Sequence, residues 1–229
     1  MDATYKLNGA FKPTTKRSAD LDGVDFYPTP GWATFALIEN ERFQGQIWEC
    51  ACGDGAMSEV LLLTGNDVVS SDLYNRGYGE AGRDFLTSTQ RAENIITNPP
   101  FHSAEGFVAR ALDLAHSKFA FLLRLAFLEG AGRTRTIFHK FPPSRVWVFS
   151  ERITFYPKGV AVAGSGTTAY AWFVWDKSHR SGTELKWFRP GYKSEYRDTI
   201  PLRFDMAAPS RRAARSKHAK PEQESGPGW

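Results

Sequence analysis

The chain has 229 residues, 41% of them hydrophobic, which is enough for one sizeable core and hardly for two. Its net charge of +4 hints at a polyanionic partner, but Arg211, Arg212, Arg215, Lys217 and Lys220 supply five positive charges from one acid-free stretch, and without them the remainder stands at −1. No apolar run reaches the ~18 residues of a membrane span, and the first residues form no apolar targeting segment, so a cytoplasmic protein is expected. Cys50 and Cys52 are one residue apart, too close for an easy disulfide and too few for zinc; they read as reduced, buried thiols, and no metal site is expected.

In chain order, residues 1–24 are polar and aperiodic and read as a flexible arm. From Gly31 the spacing of Trp32, Phe35, Ala36 and Ile38 predicts an amphipathic helix. A buried strand over 46–50 follows, then a small-residue turn, a helix over 57–63 and a second strand over 67–71 ending on Asp72. A short apolar strand over 94–97 is closed by two prolines. Helical spacing covers 103–116, with Ser103 placed to cap it. The apolar run 119–125 reads as a strand covered on both faces, and 134–141 as a helix that Pro142 stops. Strands over 145–149 and 169–175 flank a Gly-rich link at 158–168 and predict an antiparallel hairpin. Alternating strands and helices give an α/β class: a doubly wound, mostly parallel, seven-stranded Rossmann-like sheet. One domain over 25–177 is expected, then an extension over 178–208 with Trp187, Phe188 and Tyr192 as isolated anchors. A basic tail over 209–229 completes the chain, either solvated or a phosphate-contacting arm.

Glu49-Cys50-Ala51-Cys52-Gly53-Asp54-Gly55 lies where a strand hands over to a helix, the place where doubly wound sheets bind ligands. Small residues allow close backbone approach there. The turn lacks both the third glycine of a dinucleotide fingerprint and the Gly-Lys of a phosphate loop. Asp54 would repel phosphate yet suit a cationic ligand. Seventeen residues after Gly55, at the next strand end, Asp72 can accept from both hydroxyls of a ribose. Together these features read as a nucleoside site.

Glu49 to Gly55 resembles the first motif of class I methyltransferases that use S-adenosylmethionine, and Asp72 resembles their ribose-binding acid. The resemblance implies that cofactor, held by Glu49, Ala51, Gly53, Gly55, Asp72 and Leu73. Arg83-Asp84-Phe85-Leu86 resembles their third motif, which implies Asp84 on the adenine amino group and Phe85 packed on the ring. Asp84 also reads as an ordinary turn acid. The segment 25–30 resembles the one covering the methionine moiety in adenine methyltransferases, implying Tyr27, Thr29 and Pro30; a rigid Pro-rich turn is the physical alternative.

Asn98-Pro99-Pro100-Phe101 carries the acceptor chemistry. An exocyclic amine on an aromatic base is a poor nucleophile because its lone pair is delocalised into the ring. Two acceptors aimed at its hydrogens free that lone pair. The Asn98 side-chain oxygen is one and the Pro99 carbonyl, stiffened by two successive prolines, is the other. Phe101 offers a face for the base to stack on. The alternative is a plain strand-terminating turn.

Cofactor motifs followed by NPPF without a long insert resemble gamma-type N6-adenine DNA methyltransferases, and other stretches resemble the small phage or prophage type. This implies methyl transfer to the N6 amine of adenine in double-stranded DNA, the base being flipped out, with Asn98 also near the cofactor. Arg152 to Tyr156 resembles a later motif whose aromatic residue, Phe155 or Tyr156, stacks on the base; core packing is the rival role. Larger gamma enzymes carry a sizeable DNA-reading domain that this chain lacks, so the 158–168 loop and tail read a short site, or specificity is low, or a partner supplies it. Other readings are an RNA base amino-methyltransferase (N6-adenine or N2-guanine), a protein-glutamine methyltransferase and an inactive nucleic-acid binder.

Overall fold

The computed structural model describes residues 26–155 and 168–196. The expected N-terminal arm, basic tail and Gly-rich link, Tyr156 included, lie outside the described residues, save Thr168 at the end of the link.

Eight strands form one sheet: β1 (Ile47–Glu49), β2 (Val68–Asp72), β3 (Glu80–Ala81), β4 (Ala92–Thr97), β5 (Ala115–Arg124), β6 (Arg145–Val148), β7 (Tyr170–Asp176) and β8 (Glu184–Trp187). Their order is β3-β2-β1-β4-β5-β7-β6-β8. Strands β1 to β5 run parallel, whereas β7 enters between β5 and β6 antiparallel to both. The anticipated hairpin is therefore present, and its second strand is also the one that seals the sheet against β5.

Helices α1 (Gly31–Asn40), α2 (Ala56–Leu63) and α3 (Ala104–Leu114) link the strands. Each apolar set falls at helical spacing and turns inward, as with Phe107, Val108, Ala111 and Leu114 of α3. One core lies on the α3 side, built on Trp48, Phe85, Phe119 and Phe173. The other joins α1, α2 and the opposite sheet face through Ile96, Leu122, Trp172 and Val174. Alternation along β5 and β7 divides these side chains between the two faces, which is why their sequence reads as a continuous apolar run.

Four expectations change. The sheet has eight strands, because β3 has only two residues and β8, with alternating exposure, carries no apolar run. Ser103 stands at the N-cap of α3 without making a side-chain cap bond, and α3 stops at Leu114 because Ala115 already begins β5. Residues 134–141 hold no α-helix; α4 (Ala131–Arg133) runs into a π turn, Thr134–Phe138. There the Thr134 and Thr136 hydroxyls donate to the Gly130 and Gly132 carbonyls four residues back, a pattern that bends helices. Finally, the 178–208 stretch is more than isolated anchors. Strand β8 pairs with β6, and Phe188, Tyr192 and α5 (Tyr192–Glu195) pack toward α1, while Trp187 is 62% exposed.

Candidate active site

Strands β2 and β3 lie on one side of β1, and β4 and β5 on the other. The winding reverses between β1 and β4, and doubly wound sheets bind ligands at that reversal, beyond the strand ends. The turn 50–55 leaves β1 and the turn 98–101 leaves β4, so the two motifs face one another across this switch point.

On the β1 side, Asp72 anchors the turn. Its Oδ2 accepts the Gly53 N–H at 2.8 Å and its Oδ1 accepts the Tyr74 N–H at 2.8 Å, so the carboxylate is fixed at the end of β2 with lone pairs to spare. Gly53 has φ +58° and Gly55 φ +88°, conformations costly for any side chain. A Cβ on Gly53 would collide with the Phe26 ring, and one on Gly55 with the Tyr78 ring. Beneath the turn, Glu49 is 2% exposed and accepts a short hydrogen bond from Ser58, whose hydroxyl also meets Ser70 at 2.6 Å. Burial pushes the Glu49 carboxyl well above the ordinary range; Ser58 opposes this, and the charges of Asp72 and Asp54 add to it. Three acidic side chains, Glu49, Asp54 and Asp72, thus lie at this turn and the β2 end. That set of acceptors fits a cationic nucleoside.

On the β4 side, the Asn98 Nδ2 donates to the Tyr27 carbonyl at 3.4 Å and the Thr29 hydroxyl at 3.1 Å. A carbonyl can only accept, so the amide cannot be reversed without placing two acceptors together. The other end, Oδ1, is buried and has no hydrogen-bond partner among the described residues. Such an acceptor is costly unless something donates to it. Pro100 has φ −52° and ψ 125°, turning the chain into the 3-10 turn Phe101–Ser103. Around Phe101 gather Tyr27 at 6.2 Å, Phe155 at 6.1 Å and Tyr170 at 5.5 Å between ring centroids, with the Arg124 guanidinium 4.7 Å above the ring.

Most of the anticipated residues meet here. Tyr27 and Thr29 clamp Asn98; Pro30 caps α1 by accepting the Ala33 N–H; Ala51 lies in the turn, partly buried against the core. Leu73, beside Asp72, is exposed. Asp84 accepts the Leu86 N–H at 2.9 Å, so it also stabilises its own turn. Phe85 departs from expectation: at 2% exposure it packs between Trp48 and Phe107, and the apolar surface beside Asp84 belongs to Leu86. Four residues escaped the sequence reading. Phe26 and Tyr78 sit on the glycine turn through long-range packing with no sequence signal. Tyr170 and Arg124 are register partners at the ends of β7 and β5. Arg124, the one charge in the apolar run 119–125, was the legible sign among them.

No protein-family model matches the chain, and no curated protein matches it in sequence. Solved structures do. A Pyrococcus horikoshii protein assigned as an RNA methyltransferase superposes with a TM-score of 0.50 at 16% identity, over 66% of this chain and 87% of its own. A modification subunit assigned to a type I restriction enzyme of Vibrio vulnificus gives 0.48 at 14% identity, over 72% of this chain and 46% of its own; this chain spans just under half of that subunit. Magnesium protoporphyrin IX methyltransferase from Synechocystis gives 0.43 at 15% identity, over 62% and 76%. At such identities the likeness speaks for architecture. With its sheet order and its superposition on the Pyrococcus protein, the chain has the fold of the class I methyltransferases.

Proposed function

We propose that this chain is an S-adenosylmethionine-dependent methyltransferase that modifies the exocyclic N6 amine of adenine in DNA. The observation that carries this reading is the Asn98 amide, tied down at its nitrogen by Tyr27 and Thr29 while its buried oxygen has no donor among the described residues. An amine hydrogen on a planar base supplies what that oxygen lacks.

The other residues take complementary parts. Asp72, pinned by two backbone N–H groups, keeps lone pairs for the ribose hydroxyls. Asp54 and Asp72 give the turn a negative field suited to a cationic group. The cofactor, when bound, supplies a methyl group already activated on a sulfonium. No strong general base is then required, and what remains is orientation. Asn98 and the Pro99 carbonyl draw on the amine hydrogens. Phe101, Phe155 and Tyr170 form an aromatic enclosure whose closest faces must part to admit a base, each stacked face contributing about 1–3 kcal/mol. That enclosure favours a base over a small aliphatic amine, and its position beyond the strand ends suits a nucleotide flipped out of a helix.

The test uses labelled cofactor with DNA, RNA and protein pools, followed by mass spectrometry of the modified nucleoside. Wild-type protein is expected to yield N6-methyladenine from DNA. Asn98→Ala should abolish transfer while binding S-adenosylmethionine as tightly as wild type in calorimetry. Label in RNA or glutamine would reassign the acceptor, and retained transfer in Asn98→Ala would remove the role given to the amide.

A further inference from the structure

Resting on the function proposed above, we infer that Arg124 is the phosphate-contacting residue of the acceptor site: its guanidinium, which lies over Phe101, leaves that ring for the backbone of a nucleic acid when a base stacks there. Arg124 ends β5 exposed, with its guanidinium 4.7 Å above the Phe101 ring. Strand pairing sets it opposite Tyr170, so both stand over the same aromatic residue from adjoining strands.

Arg83, Arg110, Arg133, Arg145 and Arg189 each have an acidic partner. Arg124 has none among the described residues; what sets it apart is its place, with the guanidinium on the ring of the candidate acceptor turn. Arg124 stands at the β4 end of the site, while Asp54 and Asp72 lie at the β1 end, where Arg76 rests on the Phe26 ring. A guanidinium held on a half-buried ring is bound more weakly than a base stacked there, so the base displaces it. Once displaced, a planar fork of donors on a rim suits a phosphate. The acceptor is then a nucleotide within a polyanion, because a neutral amide in a protein gives this arginine nothing to pair with.

The experiment measures affinity of the full chain for fluorescein-labelled duplex DNA, with S-adenosylhomocysteine present, between about 50 and 200 mM salt. Arg124→Gln should reduce the slope of log affinity against log salt by about 0.9, the value of one phosphate contact. Arg124→Lys should restore the slope, and S-adenosylhomocysteine affinity should be equal in all three proteins. A wild-type slope in Arg124→Gln, or no recovery in Arg124→Lys, overturns the assignment. The proposed acceptor fails separately if wild type places no label in DNA; label in protein alone, with neither DNA nor RNA modified, would overturn both.

Discussion

The Asn98 amide and the Glu49 carboxyl are both buried polar groups left incompletely served among the described residues. Asn98 lacks a donor at one end only, which gives the amide a direction. Glu49 lacks a countercharge and is held well above the usual carboxylate range, first by burial and then by Asp72 and Asp54. A carboxyl whose pKa is raised by folding binds its proton more tightly in the native state, so it stabilises the fold at low pH. That contribution is lost as pH rises past its ordinary value toward its folded one. Glu49→Gln keeps an acceptor for Ser58 and removes the titration. The variant should therefore melt higher than wild type at pH ~8 while binding S-adenosylmethionine more weakly, as read by calorimetry and thermal denaturation. Equal melting curves at both ends of the pH range would show that Glu49 is ionised and compensated. Glu49 was legible as a candidate because it ends a buried strand before a glycine turn. The rise of its pKa was not, since that depends on burial and on Ser58 and Asp72 brought from two other elements.

Among the elements, the two ends of the sheet carry different work. The carboxyl ends of β1, β2 and β4 hold the candidate site. At the far end the start of β6, the end of β7 and the base of β5 are riveted to α1 by charges. Arg145 donates to both Glu41 oxygens and, at 3.0 Å, to Asp176, while Lys118 lies 3.3 Å from Asp176 and Trp147 donates to Glu41 at 2.8 Å. Two acids and two bases balance, as burial demands. Burial alone would raise the Asp176 carboxyl, but hydrogen bonds from Ser178 and Arg145 and the Lys118 charge outweigh it and hold it well below the ordinary range. The stability this brings is present above the unfolded carboxylate value near 3.9 and disappears as pH falls toward the folded one. Asp176→Asn is thus expected to lose about 1.5–3 kcal/mol at neutral pH and to match wild type in strong acid, measured by urea unfolding. A constant deficit at all pH values would mean that packing, not charge, is lost. Lys177, next to it, secures α3 by donating to the Leu112 carbonyl at 2.9 Å and to that of Ala115. Apart from the local Ser178–Asp176 bonds, none of these partnerships was visible in the sequence, where the partners are separated by 31 to 106 residues.

At the scale of the whole molecule the sheet separates a polar rivet from a reactive rim, and the rim bears Asp54 and Asp72 on one side and Arg124 on the other. The basic stretch beyond residue 208 adds a second source of positive charge, and deleting 209–229 should weaken binding to duplex DNA chiefly at low salt, with little change in S-adenosylmethionine affinity. An unaltered salt dependence would leave that stretch without a role in binding. Sequence by itself determined the α/β class, the order of the strands that carry motifs, and the identity of Gly53, Gly55, Asp72 and Asn98 as candidates. It could do so because each of those signals is local: a buried run, a turn chemistry and a fixed spacing within one strand–turn–helix unit. Tertiary structure alone decided that β7 inserts between β5 and β6, that Tyr27 and Thr29 orient Asn98, that Phe85 faces the core, and that Arg124 and Tyr170 stand over Phe101. Those outcomes depend on which strand edges find each other, and pairing between distant segments is written in no single stretch of the chain.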